Sequence, residues 1–335
     1  MRIGIVIPAY NADAWIADAI YSVLMQPHQD WCLVVVDDGS TDATSGIVAS
    51  FTDPRITLIR QPNAGVSAAR NRGAAEFLGA LPVLQGDGGS GGILFLDADD
   101  QLGPDALSRL AAALDRSPAA IAAVGAYTLA HTRYRRPPSG ELLPRILIRN
   151  LFANGGHVLI RADALNSAGP FRTGIAYGED WEFWIRLALL GPFAAITGTA
   201  PVLHVRQNDG GAYHRLAADP ASFAPCMDAI FSNPALLARF GSACLAAIRR
   251  RTEAENAWII GRELIRHGRA SEGRAWLRRS VRGAPSLKRV ALLAASLFPI
   301  GPFVPYAVAG CASFACSDPT SPCGRKMMNT TSNVP

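Results

Sequence analysis

In the first hundred residues, four short apolar runs at 3–7, 31–36, 56–59 and 93–96 alternate with helical patterns at 14–24, 41–51 and 66–77. That βαβα alternation leaves few folds open, because strands joined by helical crossovers pair in parallel and the crossovers are right-handed. Runs without polar interruption suit strands covered on both faces. In the first helical pattern Ile16, Ile20, Val23 and Leu24 share a face, as a helix lying on such a sheet requires. The fourth run goes straight into acid, Leu96-Asp97-Ala98-Asp99-Asp100, at the sheet edge where open α/β folds place their ligands. Crowded carboxylates repel one another and resist desolvation, so they persist mainly where a cation neutralises them. An Asp-x-Asp pair offers two hard oxygen ligands to Mg²⁺ or Mn²⁺, which then screens a diphosphate. The plainer alternative is three solvated turn acids capping the helix that follows.

With 49% hydrophobic and 18% charged residues, the chain is not disordered and leans toward membrane association. Its net charge of +5 is uneven. Between Arg249 and Arg289 there are 12 Lys/Arg against 4 Glu, a local +8, which leaves about −3 for the rest. A basic tail on a slightly acidic body points to an anionic membrane surface rather than to nucleic acid, unless it is only a solvated helical face. The 6 cysteines form no CxxC pair and no zinc spacing. The apolar start breaks at Pro8, unlike a signal peptide. Reduced thiols and a cytoplasmic, peripheral position at the inner face of the cell membrane are expected.

Beyond residue 100 a helix is expected at 105–114, a basic loop or insertion at 131–149, a strand at 156–160 and an aromatic helix at 181–190. Residues 86–92 read as a flexible glycine-rich connector. From about Ser222 the pattern is helical, and residues 256–285 resemble one tetratricopeptide-type helix pair. Residues 290–316 carry no charge, but Pro299, Pro302 and Pro305 would break a simple spanning helix. An interfacial or re-entrant anchor is favoured over a spanning segment or a buried flap. The expected division is 1–215, 216–286 (helical extension), 287–316 (hydrophobic, membrane-associated) and 317–335 (disordered tail).

The chemistry-bearing motifs sit at strand ends and helix starts. VIPAYN (6–11) carries no GxGxxG after its strand, which argues against a dinucleotide site. It does supply Tyr10, able to stack on a base, and Asn11, able to hold the turn. VVVDDGSTD (34–42) places two acids where a base imide or a ribose hydroxyl can be bound, although a turn and a helix cap would use the same residues. In NAGVSAARNRG (63–73) Arg70 and Arg72 point in different directions. We choose Arg70 to face a diphosphate, with pairing to a nearby carboxylate as the alternative. GEDWEFWIRL (178–187) sets an acid pair at the start of an aromatic helix, where the dipole favours ionised carboxylates. One acid can cap the helix; the other can remove a proton from an acceptor hydroxyl beside rings that pack on a sugar.

Taken in order, VIPAYN, VVVDDGSTD, NAGVSAARNRG, FLDADD and GEDWEFWIRL resemble family 2 glycosyltransferases of the bacterial exopolysaccharide and O-antigen type over residues 1–206. The resemblance implies a GT-A fold: a Rossmann-like α/β architecture, mainly parallel, with helices on both faces. It also implies inverting transfer from a nucleotide-diphosphate sugar with Mg²⁺ or Mn²⁺. Carried over by position, Tyr10 and Asp38 would contact the base, Asp97 would meet the ribose or the metal, and Asp99 would ligate the metal; Pro8, Asn11 and Arg70 complete the expected nucleotide-sugar site. Asp180 would be the general base, Glu179 would support the acceptor site, and Trp181 and Trp184 would face the acceptor.

Two departures from the family stand out. Where relatives often carry Tyr-Arg-x-His, this chain reads Leu203-His204-Val205-Arg206-Gln207-Asn208, with His204 and His214 as the nearby substitutes. The glycine-rich loop also lengthens the approach to the acidic strand. Gln-x-x-Arg-Trp, the mark of processive relatives, is missing. The expected activity is therefore addition of one sugar, from a UDP-hexose, to a lipid-linked saccharide in cell-surface polysaccharide assembly, with no nucleic-acid partner. The alternatives are transfer to polyprenyl phosphate and a non-catalytic nucleotide-sugar sensor.

Overall fold

The computed structural model describes residues 1–84, 91–129, 133–206 and 219–297. The chain divides into two compact units: residues 1–146 with 150–208, and residues 147–149 with 209–335.

The first unit is built on a seven-stranded sheet of β1 (Arg2–Ala9), β2 (Trp31–Asp37), β3 (Ile56–Arg60), β4 (Gly91–Phe95), β6 (Ala122–Val124), β9 (Val158–Arg161) and β10 (Phe193–Ala195). Their order is β10-β6-β9-β4-β1-β2-β3. β4, β1, β2 and β3 run parallel, as the alternation requires, and β10 runs parallel to β6. The strand expected near 156–160 enters between β4 and β6 antiparallel to both, so the sheet is mixed and mostly parallel. A smaller sheet joins β5 (Gln101–Leu102), β11 (Leu203–Val205), β7 (Tyr127–Leu129) and β8 (Arg133–Arg135).

Alternation along β2 fixes the layering. Leu33 and Val35 point into the main core with Ile3, Ile5 and Ile7, under Ile16 and Ile20 of α1 (Ile16–Leu24) and Leu107 and Leu110 of α4 (Ala106–Arg116). Val34 and Val36 point the other way and meet Ala69 of α3 (Val66–Leu84). Each of the buried Val, Leu and Ile side chains among these contributes roughly 1.5–3 kcal/mol. α3 lies close on the sheet because residue 73 is glycine: a Cβ there would fall 2.4 Å from Val6 Cγ1.

Several boundaries differ from expectation. β4 begins at Gly91, because the ladder pairs Gly91 with Arg2 and Gly92 with Ile3 and Arg161; residues 86–90 of the glycine-rich connector lie outside the described residues. α2 (Thr44–Ala49) starts later than residue 41, since Asp42 Oδ1 receives the N–H and hydroxyl of Thr44 and holds 39–43 as a loop. The basic stretch 131–149 is not simply loop: it contains β8 and the short α5 (Leu143–Ile146).

In the second unit α8 (Ala224–Phe231) and α9 (Pro234–Phe240) lead into a hairpin of α10 (Ser242–Arg266) and α11 (Ala270–Gly283), then α12 (Leu287–Ala295). The hairpin crosses at two glycines. A Cβ on Gly261 would lie 2.8 Å from Gly273 O, and one on Gly273 2.6 Å from Gly261 O. Buried Leu264 and Leu277 fill the space beside them. Among the described residues no helix is long and apolar enough to cross a membrane. Most of the uncharged segment (298–316) and the tail (317–335) lie outside the described residues.

Candidate active site

Parallel pairing brings three strand ends to one edge. Asp38 N donates to Ala9 O at 2.8 Å just past β1 and β2, and Leu96 N donates to Val6 O at 2.9 Å just past β4. The residues following those strands, Tyr10 and Asn11, Asp38, and Asp97 to Asp100, therefore share a rim.

At one end Tyr10 is 53% exposed. Asn11 takes a positive φ of 48°, and its Oδ1 receives Thr41 N at 2.9 Å, while Ser40 Oγ accepts from Asn11 N at 3.0 Å. Pro8, still within β1, is half-buried. Burial would raise the carboxyl of Asp37, but hydrogen bonds from Ser40 and Ser45 and the charge of Arg60 outweigh it and hold it below the usual range. Asp38 is buried and accepts from Gln61 Nε2 (2.8 Å), Ala64 N (2.9 Å) and Gly65 N (2.8 Å). A carboxylate has about four acceptor positions, so little of Asp38 is left for a base; its visible work is to organise the loop before α3.

At the centre lies Arg70. Its guanidinium is 6% exposed and bridges two acids, with Nη2 at 2.9 Å from Asp97 Oδ1 and Nη1 at 3.0 Å from Glu179 Oε1. Burial works against its charge, yet Asp97, Glu179 and Asp180 hold it firmly protonated. Of the two readings of Arg70 in the sequence, the one seen here is the pairing with nearby carboxylates. Arg72 is exposed. Arg70 Nε and Ser67 Oγ, a turn apart on α3, are buried with no partner among the described residues.

Beside the bridge, α7 (Glu179–Ala188) begins after Gly178, whose φ is 84°. Asp180 Oδ1 accepts from Trp181 N at 2.6 Å and Oδ2 from Asn150 Nδ2 at 3.3 Å. Burial, with the charge of Glu179, pushes the Asp180 carboxyl up to about 7, against the pull of Arg70. The tryptophans of α7 do not face an acceptor. Trp181 and Trp184 are 2% and 1% exposed, Trp181 Nε1 donates to Ile146 O at 2.6 Å, and Trp184 packs against Phe152 and Phe183. Their helical phase points into the core, a correction to the expectation.

The acid run itself is tightly held. Burial and the charges of Asp97 and Asp99 push Asp100 up to about 8; it is buried, its Oδ2 receiving Asn154 Nδ2 and its Oδ1 Arg206 N at 2.9 Å. Arg206 Nε reaches Asp99 O at 3.2 Å, Nη2 reaches Asp18 Oδ2 at 3.0 Å, and the guanidinium lies 4.3 Å from the Trp15 ring centre. Asp99 is also raised, by burial and then by Asp97. The surplus negative charge at Asp97 and Asp99 and their hard oxygens fit a divalent cation. Among the described residues no third His, Cys, Asp or Glu joins them. His204 bonds Thr128 Oγ1 through Nδ1 at 2.9 Å; His214 lies outside the described residues.

Sequence reasoning missed the amides. Asn150 and Asn154 hold the two acid groups, and Asn71 exchanges bonds with the backbone of Phe171 (2.8 and 2.7 Å), whose ring centroid lies 5.3 Å from the Arg70 guanidinium. Asn71 lies inside the motif already noted; Asn150 and Asn154 had only their polarity in an apolar stretch to mark them.

Residues 4–174 match the family model described as "Glycosyl transferase family 2". The chain belongs to that family. TuaG of Bacillus subtilis, "Putative teichuronic acid biosynthesis glycosyltransferase", is 36% identical over 110 residues, 32% of this chain and 39% of TuaG. The chain spans less than two thirds of the length of the curated relatives it matches, from 14% to 62%. Among solved structures, S. aureus TarS 1–349 in complex with UDP superposes with a TM-score of 0.54 at 19% identity, covering 88% of this chain and 83% of TarS 1–349. The mannosyltransferase PcManGT of Pyrobaculum calidifontis, in complex with GDP-Man and Mn²⁺, gives 0.56 at 17%, covering 88% and 79%. At such identities the likeness establishes the fold.

Proposed function

We propose that this family 2 member is a non-processive, inverting transferase that moves one hexose from a nucleoside-diphosphate sugar, UDP-hexose, to a lipid-linked saccharide. The product would enter exopolysaccharide or another cell-surface polysaccharide. The observation that carries the reading is the Arg70 bridge, which ties a donor-side acid, Asp97, to Glu179 beside Asp180. In this reading Tyr10 packs on the base, Asn11 holds the loop that shapes the base pocket, and Pro8 ends the strand beneath. Asp97 and Asp99 would hold Mg²⁺ or Mn²⁺, which when bound neutralises the departing diphosphate. TarS with UDP and PcManGT with GDP-Man and Mn²⁺ support a nucleotide-sugar donor and a metal by likeness of fold.

Asp180 is the proposed base. A carboxyl near 7 is half ionised at neutral pH and strong enough to accept the proton of a sugar hydroxyl as that oxygen bonds the anomeric carbon. The bond to the diphosphate oxygen breaks on the opposite face, which inverts the centre. Glu179, fixed by Arg70, adds the negative charge that raises Asp180.

The name of TuaG supports a cell-surface polysaccharide. The basic hairpin and uncharged stretch support an acceptor carried at the inner face of the cytoplasmic membrane. In this assignment 1–215 performs transfer, 216–286 is the helical extension and 287–316 meets the membrane. The test is to supply radiolabelled donor with membrane lipid extract. Label should appear in the solvent-extractable, mild-acid-labile lipid fraction; label only in soluble acceptors would refute the lipid-linked assignment.

A further inference from the structure

A helix on a protein surface normally turns its apolar side inward; α12 carries a further apolar side that faces out. At about 100° per residue, Leu287, Val290, Ala291 and Ala294, with Leu297 just past the end, form one continuous stripe. All five are exposed, Leu287 at 91%, Val290 at 49% and Leu297 at 60%. On the opposite side Arg289 is buried, its guanidinium donating to Glu255 Oε1 at 2.6 Å and to Ala284 O. Arg274 Nη1 donates to Ser296 O at 3.1 Å, and Ser286 Oγ accepts from Arg289 N at 3.3 Å. Polar bonds, with Leu292 and Leu293 half-buried, hold the helix on its own unit, and a second apolar side is left facing out.

The surroundings indicate what covers the stripe. From Gly273 to Ser317 the sequence holds 6 basic residues and no acidic one. Lys288, Arg278, Arg279 and Arg282 are exposed. The chain then continues without a charge from 298 to 317. An exposed apolar stripe within a stretch of chain that is basic and free of acids matches the boundary between acyl chains and anionic headgroups.

We propose that the stripe Leu287, Val290, Ala294 and Leu297 is the surface on which this chain lies against an anionic phospholipid bilayer. The choice of a lipid occupant rests on the membrane-borne acceptor proposed above; the exposed apolar stripe of α12 does not depend on any catalytic role. The bilayer would hold the chain in the plane of its acceptor.

The test is co-sedimentation of the full chain with vesicles of phosphatidylcholine, alone or mixed with phosphatidylglycerol. The wild type should bind the mixed vesicles. The triple variant Leu287→Gln, Val290→Gln, Leu297→Gln should bind about tenfold less, with an unchanged melting midpoint because those side chains contact water. Arg282→Gln with Lys288→Gln should weaken the preference for the anionic lipid. Light scattering without lipid should give the same mass for wild type and triple variant. Equal sedimentation of the two, or no binding by wild type, would overturn the proposal. So would a dimer lost in the variant, since a second copy would then cover the stripe. Donor turnover without vesicles is measured in parallel, so that failure of the transferase reading with vesicle binding intact is told apart.

Discussion

At the residue scale, the surroundings of Asp180 suit the proposed base at the cost of stability. Its carboxyl, pushed up to about 7, binds a proton in the folded state that the unfolded chain, near 3.9, has already released. Between those values the folded state holds more protons, so this group's contribution to stability falls as pH rises through about 7. Asp180→Asn should raise the melting midpoint at pH 8 by about 2–4 °C and flatten its decline between pH 5 and 8. Turnover should move the other way. The wild-type rate should climb with an apparent pKa near 7, and Asp180→Asn should lower kcat by about 10²–10⁴-fold with nucleotide affinity kept. A wild-type rate flat from pH 5 to 8 would contradict the role. Arg70 has a different expected signature. Arg70→Met leaves Asp97 and Glu179 without their shared cation, and the melting midpoint should drop at neutral pH, because breaking a buried pair leaves charges uncompensated.

At the scale of elements, the acidic loop after β4 is set by partners distant in sequence. Asn154 and Arg206 reach Asp100 across 54 and 106 residues, so no local pattern could announce them. Asn154→Ala removes a partner of Asp100, the neighbour of the proposed ligand Asp99, and should weaken Mn²⁺ binding in the presence of UDP by up to about tenfold; titration calorimetry reads this directly. The four parallel strands β1 to β4 were legible as apolar runs ending on polar residues, and parallel pairing then collects those ends; β5 to β8, β10 and β11, two or three residues each, are too short to show a pattern. Arg70 was legible as the arginine to watch, since Arg72 lies around the helix, but its two-acid bridge needed tertiary structure. The tryptophans of α7 misled because their aromatic character suggested sugar contact, while their spacing is equally that of a buried face. In the hairpin, Gly261→Val should cost about 1–3 kcal/mol by overpacking against Gly273 O, read as a shift of the denaturant midpoint.

At the scale of the whole molecule, the charge is divided as the proposed work is. The stretch from Arg249 to Arg289 carries 12 basic residues against 4 acidic, while the acids of the sheet edge are the proposed place of a cation and a diphosphate. The central claim, that this chain is a metal-assisted nucleotide-sugar transferase with Asp180 as its base, is tested most directly by one measurement. Nucleoside diphosphate release is followed across a panel of nucleotide sugars, with Mn²⁺ or with EDTA, in wild type and Asp180→Asn, before and after adding membrane lipid extract. The account predicts turnover of one donor that is accelerated by the extract, abolished by EDTA and lost in the variant. Intact nucleotide binding with no turnover of any donor, or turnover unchanged in Asp180→Asn, would contradict it.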